Sequence, residues 1–224
     1  MNPSVFDRLV AAQKHIASRG WLYMVAYALS WALPYIYIDL NMPDANGAYF
    51  LMSFMGIGLN FALLYTLMLR SGLLESGAKA GVVTFVGLSL LHSVGVLFGF
   101  LVLVLPGIYL TLRWLPAFAR LLSSDDTIPA ALAWSWHRTG GSVGALGLAG
   151  VVPGLLWLAG IAAIFAPELY YELYPDSPWE TVYMSSVVIG NIVLPLFFVW
   201  YTVLGIAAFA VLRDQVSHDA AAFE

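Results

Sequence analysis

The chain of 224 residues contains no cysteine, and it is poor in charged side chains. The lack of cysteine excludes disulfides, thiolate metal ligands and cysteine nucleophiles, although it does not fix the cellular compartment. Only 10% of the residues are charged, whereas an average soluble domain has about 25%. Because 61% of the residues are hydrophobic, the composition excludes an ordinary soluble domain.

Several apolar runs are long enough to form membrane-spanning helices, each of which needs about 20 residues. In lipid, the backbone polar groups of a helix must be satisfied within that helix. The longest polar stretches lie at the two ends of the chain, which leaves no room for a separate soluble domain. A cleavable signal peptide is not expected, because residues 1–20 contain no apolar core before a cleavage site. The sequence therefore predicts an all-α, polytopic transmembrane bundle of about six spans, with additional interfacial helices.

The predicted six-helix transmembrane domain covers residues 21–212, and a polar tail follows at 213–224. Its longest apolar run, 82–122, has roughly twice the length of one crossing. We expect Pro106-Gly107 to form a tight hairpin turn that divides this run into the third and fourth spans. The six predicted spans are 21–40, 48–69, 82–105, 108–122, 142–166 and 181–212.

Residues 1–20 are predicted to form an amphipathic helix that lies in the membrane interface. The alternative is a frayed N-terminal tail. The apolar side of this helix would carry Val5, Phe6, Leu9, Ala12, Gln13 and Ile16, and its polar side Asp7, Arg8, Lys14, His15 and Arg19.

A second interfacial helix is predicted at residues 128–139. Asp126 and Thr127 are candidates for its N-cap, and Pro129 suits its first turn. The paired glycines Gly140-Gly141 end it.

Basic and acidic residues separate across the predicted spans. Arg113 lies within the fourth span, and every other Lys or Arg falls on one side of the membrane. The opposite loops carry acidic residues only, which indicates that the basic side faces the cytoplasm. We therefore expect both termini to be cytoplasmic. The basic side holds Arg8, Lys14, Arg19, Arg70, Lys79, Arg120, Arg138 and Arg213, and the opposite side holds Asp39, Asp44, Glu168, Glu172, Asp176 and Glu180.

A series of short motifs lies between residues 101 and 141. They are Leu105-Pro106-Gly107-Ile108-Tyr109, then Arg113 among apolar residues, an acidic turn, and Ala131-Leu132-x-x-Ser135-Trp136-x-x-Thr139-Gly140. This series resembles a group of bacterial six-helix integral membrane families, most of them uncharacterised, that includes the membrane domain of some glycerophosphoryl diester phosphodiesterases. The resemblance implies the membrane architecture and the bacterial cytoplasmic (inner) membrane. It implies no hydrolysis, because the catalytic barrel of those phosphodiesterases has no counterpart in this chain.

Arg113 is the principal candidate for a functional residue. An arginine inside a span costs at least ~2.5 kcal/mol on insertion scales and must find a partner. Helical spacing places Tyr109, Arg113 and Arg120 on roughly one face. Together with His137 and Arg138, this face could bind a lipid headgroup or another anion through bidentate hydrogen bonds. The alternative is that Arg113 only snorkels to the cytoplasmic interface.

Three further polar residues lie within predicted spans, namely Asn60, His92 and Asn191. We expect each of them to make an interhelical hydrogen bond. His92 could instead relay protons or bind a metal, but no Asp, Glu or second His lies at helical ligand spacing from it. The sequence contains no Gly-x-Ser-x-Gly or zinc-protease motif. We therefore predict no catalytic residue, no metal site and no cofactor.

The predicted partners are membrane lipids and either another membrane protein or a second copy of the chain, but not nucleic acid. Gly95-x-x-x-Gly99 and Gly150-x-x-x-Gly154 would permit close helix approach, within one molecule or in a dimer. Three functions remain open. The first is an accessory or assembly protein that binds membrane-protein partners or anionic lipid without catalysis. The second is a transporter or channel for a small or lipidic anion that uses Arg113, and the third is an intramembrane enzyme.

Overall fold

The computed structural model describes residues 4–42, 46–74, 80–176 and 178–221, with the side chains up to residue 214. Asp44 and Lys79 of the predicted charge distribution lie outside these residues. The described residues form α-helices and one short 3-10 turn and contain no strand, which confirms the predicted all-α class. The helices are α1 (Val5–Asn41), α2 (Asn46–Arg70), α3 (Val82–Val102), α4 (Val104–Trp114), α5 (Ala117–Ser123), α6 (Ile128–Thr139), α7 (Val143–Ala149), α8 (Val151–Leu173) and α9 (Glu180–Ala221); the 3-10 turn is Gly140–Ser142.

Five of these helices are long and apolar enough to cross a membrane, namely α1, α2, α3, α8 and α9 up to Asp214. The protein is therefore a multi-pass membrane protein. The predicted fourth span, 108–122, is not one helix, because the chain breaks between α4 and α5 at Leu115 and Pro116. With 11 residues, α4 is about 16 Å long, only half of the roughly 30 Å hydrocarbon core. A count of six full spans is thus not confirmed.

The turn between α3 and α4 lies at Leu103, which is the only extended residue between them (φ −165°, ψ 153°). Pro106 and Gly107 lie instead within the first turns of α4. Proline is tolerated there because the first turn of a helix has no intrahelical partner for its N–H. The predicted Pro106-Gly107 turn is therefore not confirmed.

The helices α3 and α4 pack against each other in antiparallel fashion. Gly99 lies opposite Gly107, so that a Cβ added to Gly99 would come within 2.9 Å of the Gly107 Cα. One turn earlier in α3, Gly95 lies under the ring of Trp114, near the end of α4. These glycines allow the two backbones to approach closely.

The N-terminal segment and the predicted first span form one continuous helix, α1. Ser4 caps this helix, since its hydroxyl oxygen accepts a hydrogen bond from the Asp7 N–H at 3.2 Å. The predicted boundary near residue 20 is absent, because a single glycine does not stop a helix and Gly20 packs against Leu67. Leu9, Gln13 and Ile16 are buried in the protein. Interfacial placement of residues 1–20 stays a prediction.

The fifth predicted span also has different boundaries in the structure. The chain leaves α7 at Gly150 and continues as α8, which runs through Pro167 to Leu173. The sequence places the end of this span at residue 166, because a proline such as Pro167 is typical of the start of a loop. A helix in a membrane protein nevertheless tolerates the loss of one backbone donor.

The chain divides into two compact units. The first consists of residues 1–21, 61–150 and 202–224, and it contains the best buried core. In it, Leu88 of α3 packs with Ala117 and Leu121 of α5 and with Ala131 of α6. The stretch of α9 from Val203 to Leu212 is also largely buried.

The second unit consists of residues 22–60 and 151–201. Its helices approach each other where large side chains lie over glycines. The Trp31 ring lies over Gly56, and Leu194 lies over Gly160. Many of its side chains are exposed and apolar, as lipid-facing residues are.

Candidate functional site around Arg113

The helix α6 positions most of the residues around Arg113. The Thr127 hydroxyl oxygen accepts a hydrogen bond from the Ala130 N–H at 3.4 Å, and Pro129 lies in the first turn. An N-cap threonine and a proline in the first turn are typical of a helix N-terminus. The helix α6 spans residues 128–139, as the sequence predicts.

The end of α4 is tied to α6 through the backbone carbonyl of Arg113. The last carbonyls of a helix have no intrahelical partner and need another donor. The Ser135 hydroxyl donates to the Arg113 carbonyl at 2.6 Å. The Thr139 hydroxyl lies 3.3 Å from the same oxygen and donates to the Ser135 carbonyl at 2.8 Å. Ser135 and Thr139 are fully buried, so these bonds fix Arg113 on α6.

The Arg113 guanidinium is buried between aromatic rings, with the residue only 6% exposed. Its Cζ lies 4.2 Å from the ring centroid of Trp136 and 5.6 Å from that of Tyr109. Both distances allow cation–π attraction. Gly140 makes room for the side chain, since a Cβ there would lie 3.0 Å from Nη1.

No carboxylate pairs with Arg113 among the residues that the structure describes. The Arg113 Nε is buried and has no hydrogen-bond partner there either. An arginine does not lose its proton in a protein, and a buried charge without a partner costs several kcal/mol. The site therefore favours an anion beside the guanidinium.

The residues around Arg113 belong to the motif Ala131-Leu132-x-x-Ser135-Trp136-x-x-Thr139-Gly140. Ser135, Trp136 and Thr139 of α6 and Gly140, the residue after it, all lie against Arg113. Sequence reasoning gives Ser135, Trp136 and Thr139 no individual role and treats Gly140 only as the end of the helix. The signal that could have identified them is their spacing, because i, i+1, i+4 and i+5 lie on one face of a helix. We call Tyr109, Arg113, Ser135, Trp136, Thr139 and Gly140 the Arg113 site.

Arg120 has a different partner from the one predicted. Its Nε lies 2.5 Å from the Asp126 carboxylate, and its guanidinium lies 5.3 Å from the Trp134 ring. Burial raises the pKa of Asp126, but hydrogen bonds from Arg120 and Ser124 and the charge of Arg120 outweigh this effect and hold it below the ordinary value. Arg113 and Arg120 thus have different neighbours, and the break between α4 and α5 at Leu115 and Pro116 lies between them.

Of the five predicted anion-site residues, the structure brings Tyr109 and Arg113 together. His137 and Arg138 are exposed on the last turn of α6. Arg113 itself does not extend into an open interface, since it is buried.

The predicted intramembrane polar residues have neighbours on other helices. Asn60 accepts a hydrogen bond from the Tyr27 hydroxyl at 2.6 Å. Asn191 donates to the Asp39 carboxylate at 2.6 Å and to the Val187 carbonyl at 3.0 Å. The His92 ring packs against the rings of Trp114 and Phe118.

Asp39 forms a polar node that sequence reasoning misses. The Tyr49 hydroxyl and the Asn191 amide donate to its two carboxylate oxygens, each at 2.6 Å. The Tyr183 hydroxyl donates to its backbone carbonyl at 3.1 Å. The node links α1, α2 and α9 within the second unit. The sequence predicts a loop at Asp39, because a carboxylate after an apolar run is typical of the end of a span.

An open apolar groove of about 500 Å³ lies beside the Arg113 site. Tyr109 belongs to both, so the groove begins next to the guanidinium. Within the described part of the chain, no three His, Asp or Glu side chains come together as metal ligands. The groove is lined by Leu105, Pro106, Ile108, Tyr109, Leu112 and Val143.

Comparisons of the chain with protein-family models, with curated proteins and with solved structures found no match.

Proposed function

We propose that the protein is an integral membrane accessory protein without catalytic activity, which binds the phosphate of an anionic lipid at the Arg113 site. The observation that supports this most is the buried Arg113 guanidinium, which has no acidic partner in the described structure. A phosphate would supply the missing negative charge, and a guanidinium binds phosphate oxygens through two parallel N–H donors.

The aromatic rings support binding because they fix the plane of the guanidinium before a ligand arrives. Trp136 and Tyr109 contact the flat cation, and Gly140 lies beside Nη1. A planar fork that is already oriented loses less rotamer entropy on binding than a flexible lysine does. The neighbouring apolar groove favours a lipid over free phosphate, because it would accommodate part of an acyl chain.

A second class of partner, another membrane protein, is part of the proposal. A Cβ at Gly154 of α8 would meet no atom within 4 Å, and the adjacent Leu155 and Leu158 are exposed. A glycine on an open apolar helix face permits close approach of another helix. Gly95 and Gly99, in contrast, are covered within the chain.

Replacement of Arg113 by alanine tests the lipid site. We expect Arg113→Ala to reduce copurifying anionic lipid about tenfold or more, because even one lost charge-assisted hydrogen bond contributes about 1.5–3 kcal/mol. Arg113→Lys should retain part of the lipid, because the ammonium keeps the charge but lacks the planar fork. The measurement is mass spectrometry of lipids bound to the purified protein.

Arg120→Ala is the matched control, because this arginine is paired with Asp126 and should leave the lipid content unchanged. Equal lipid content in the parent, Arg113→Ala and Arg113→Lys would contradict the site. If excess inorganic phosphate removes the anionic lipid and stabilises the delipidated protein as well as lipid does, the ligand is free phosphate instead.

The two neighbouring glycines Gly140 and Gly141 provide a second test. Alanine at Gly140 would place its Cβ 3.0 Å from the Arg113 Nη1, whereas alanine at Gly141 would meet nothing within 4 Å. Gly140 has helical angles (φ −48°, ψ −51°) that alanine adopts without strain. We therefore expect Gly140→Ala to fold normally and lose anionic lipid, and Gly141→Ala to keep it. Identical lipid content in both variants would show that the guanidinium position is unimportant for binding.

A further inference from the structure

We infer that α3 and α4 form a re-entrant hairpin, whose tip (residues 101–105) ends in the hydrocarbon interior of the bilayer and does not reach the opposite surface. The partner of this exposed tip is thus lipid acyl chains. The inference is independent of the proposed lipid-phosphate site.

The tip consists only of aliphatic side chains. Leu101, Val102, Leu103, Val104 and Leu105 are 61–77% exposed. A turn in water or among headgroups normally carries polar or turn-forming residues. The other turns predicted on the outer side do so, since residues 39–47 and 167–180 contain acidic side chains and proline. The tip at Leu103 therefore has the chemistry of a lipid-exposed surface and not that of an outer loop.

Measured from their contacts with α6, both helices of the hairpin reach Leu103 over less than the thickness of the hydrocarbon core. On α3, Leu88 packs against Ala131 of α6, the helix that carries the exposed His137 and Arg138. From Leu88 to Leu103 the helix rises only about 22 Å. On α4, Arg113 is bonded to α6, and the distance from Leu103 to Arg113 is about 15 Å along the helix. The hydrocarbon core is about 30 Å thick.

Both backbone polar groups of Leu103, the residue at the turn, are hydrogen-bonded, as a chain in hydrocarbon requires. The Leu103 N–H donates to the Gly99 carbonyl at 3.1 Å, and the Leu103 carbonyl accepts from the Gly107 N–H at 3.4 Å. Pro106 has no N–H that would need an acceptor. The turn contains a single non-helical residue.

The charge distribution agrees with a hairpin that returns to its own side. If α3 crossed and α4 did not return, Arg120 and Arg138 would lie on the side opposite to Arg8 and Arg70. A re-entrant hairpin leaves four complete crossings, by α1, α2, α8 and α9. All basic residues outside the hairpin then lie on one side, as the positive-inside rule requires.

Single-cysteine variants test this inference directly, because the natural chain has no cysteine. The variants are Leu103→Cys at the tip, Asp176→Cys in the predicted outer loop and Arg138→Cys on α6. A membrane-impermeant maleimide is applied to intact cells and to inverted membrane vesicles. We expect the Asp176→Cys variant to react only in cells and the Arg138→Cys variant only in vesicles. The Leu103→Cys variant should react in neither until detergent denatures the protein.

A nitroxide attached to the Leu103→Cys variant distinguishes lipid from protein around the tip. We expect oxygen, which dissolves in the bilayer, to increase the spin relaxation rate of the nitroxide. A water-soluble nickel chelate should leave that rate unchanged. A nitroxide that neither oxygen nor nickel reaches would show a tip enclosed by protein and would contradict lipid contact.

Two labelling results would overturn the inference. Reaction of the Leu103→Cys variant in intact cells at the rate of the Asp176→Cys variant would show that the tip reaches the outer surface. Reaction of the Leu103→Cys variant in inverted vesicles would place the tip on the side of α6 and would overturn it as well. If Leu103→Cys does not fold, Leu105→Cys offers a second exposed tip position.

Discussion

Replacement of Gly99 by alanine is expected to destabilise the protein by about 2–3 kcal/mol, a typical cost of overpacking. The new Cβ would lie 2.9 Å from the Gly107 Cα and 3.1 Å from the Gly107 N. Both are backbone atoms, which cannot rotate away as a flexible side chain can. The helices α3 and α4 must therefore move apart. This loss exceeds the gain of up to about 1 kcal/mol that alanine brings over glycine in a helix.

Gly154→Ala is the control for Gly99→Ala. Gly154 also lies inside a long apolar helix, but a Cβ there would meet nothing within 4 Å. Alanine should leave stability equal or slightly higher, because it favours the helix. The measurement is the free energy of unfolding in mixed detergent micelles. Equal values for Gly99→Ala and the parent would show that α3 and α4 are not held together by this close contact.

Interactions between residues that are close in the sequence are enough to predict the all-α class and several local features of the fold. Apolar runs of the right length identify the spanning helices, and the cap at Thr127 with Pro129 identifies α6. Arg113 is recognisable because a charge within an apolar run requires a specific partner. These features depend on residues that are close together in the chain.

Features that depend on distant contacts cannot be predicted in the same way. Nothing in the sequence indicates a turn at Leu103, because Leu and Val there have no turn chemistry, and the close packing of Gly99 on Gly107 becomes visible only in the structure. The break at Pro116 separates Arg120 from Arg113. The spacing within α6 can place Trp136 on one face with Ser135 and Thr139, but its contact with Arg113 depends on how α6 folds back onto α4.

The Arg113 site and the Asp39 node show two ways to keep a charged group in a membrane protein. The Asp39 carboxylate is satisfied by neutral donors from two other helices. The Arg113 guanidinium is covered by aromatic rings, and among the described residues no carboxylate pairs with it. A group that is already satisfied serves stability, whereas a group that is not satisfied is the better candidate for binding.

Replacement of Asp39 by alanine is expected to destabilise the protein by about 3 kcal/mol. Two hydrogen bonds to a charged acceptor are lost, each of which contributes about 1.5–3 kcal/mol, and solvent offsets part of the loss because Asp39 is only half-buried. The Tyr49 hydroxyl and the Asn191 amide then lose this acceptor where α1, α2 and α9 meet. Asp39→Asn should cost less, since its amide oxygen can still accept one of the two bonds.

Tyr183→Phe is the control within the same node, because it removes only the hydroxyl that donates to the Asp39 backbone carbonyl. We expect it to cost about 1 kcal/mol, the typical value of a neutral hydrogen bond. The order of stability should thus be parent, Tyr183→Phe, Asp39→Asn and Asp39→Ala, measured by unfolding in mixed micelles. If Asp39→Ala were no less stable than Tyr183→Phe, water would be replacing the two carboxylate bonds, and the node would not hold the three helices together.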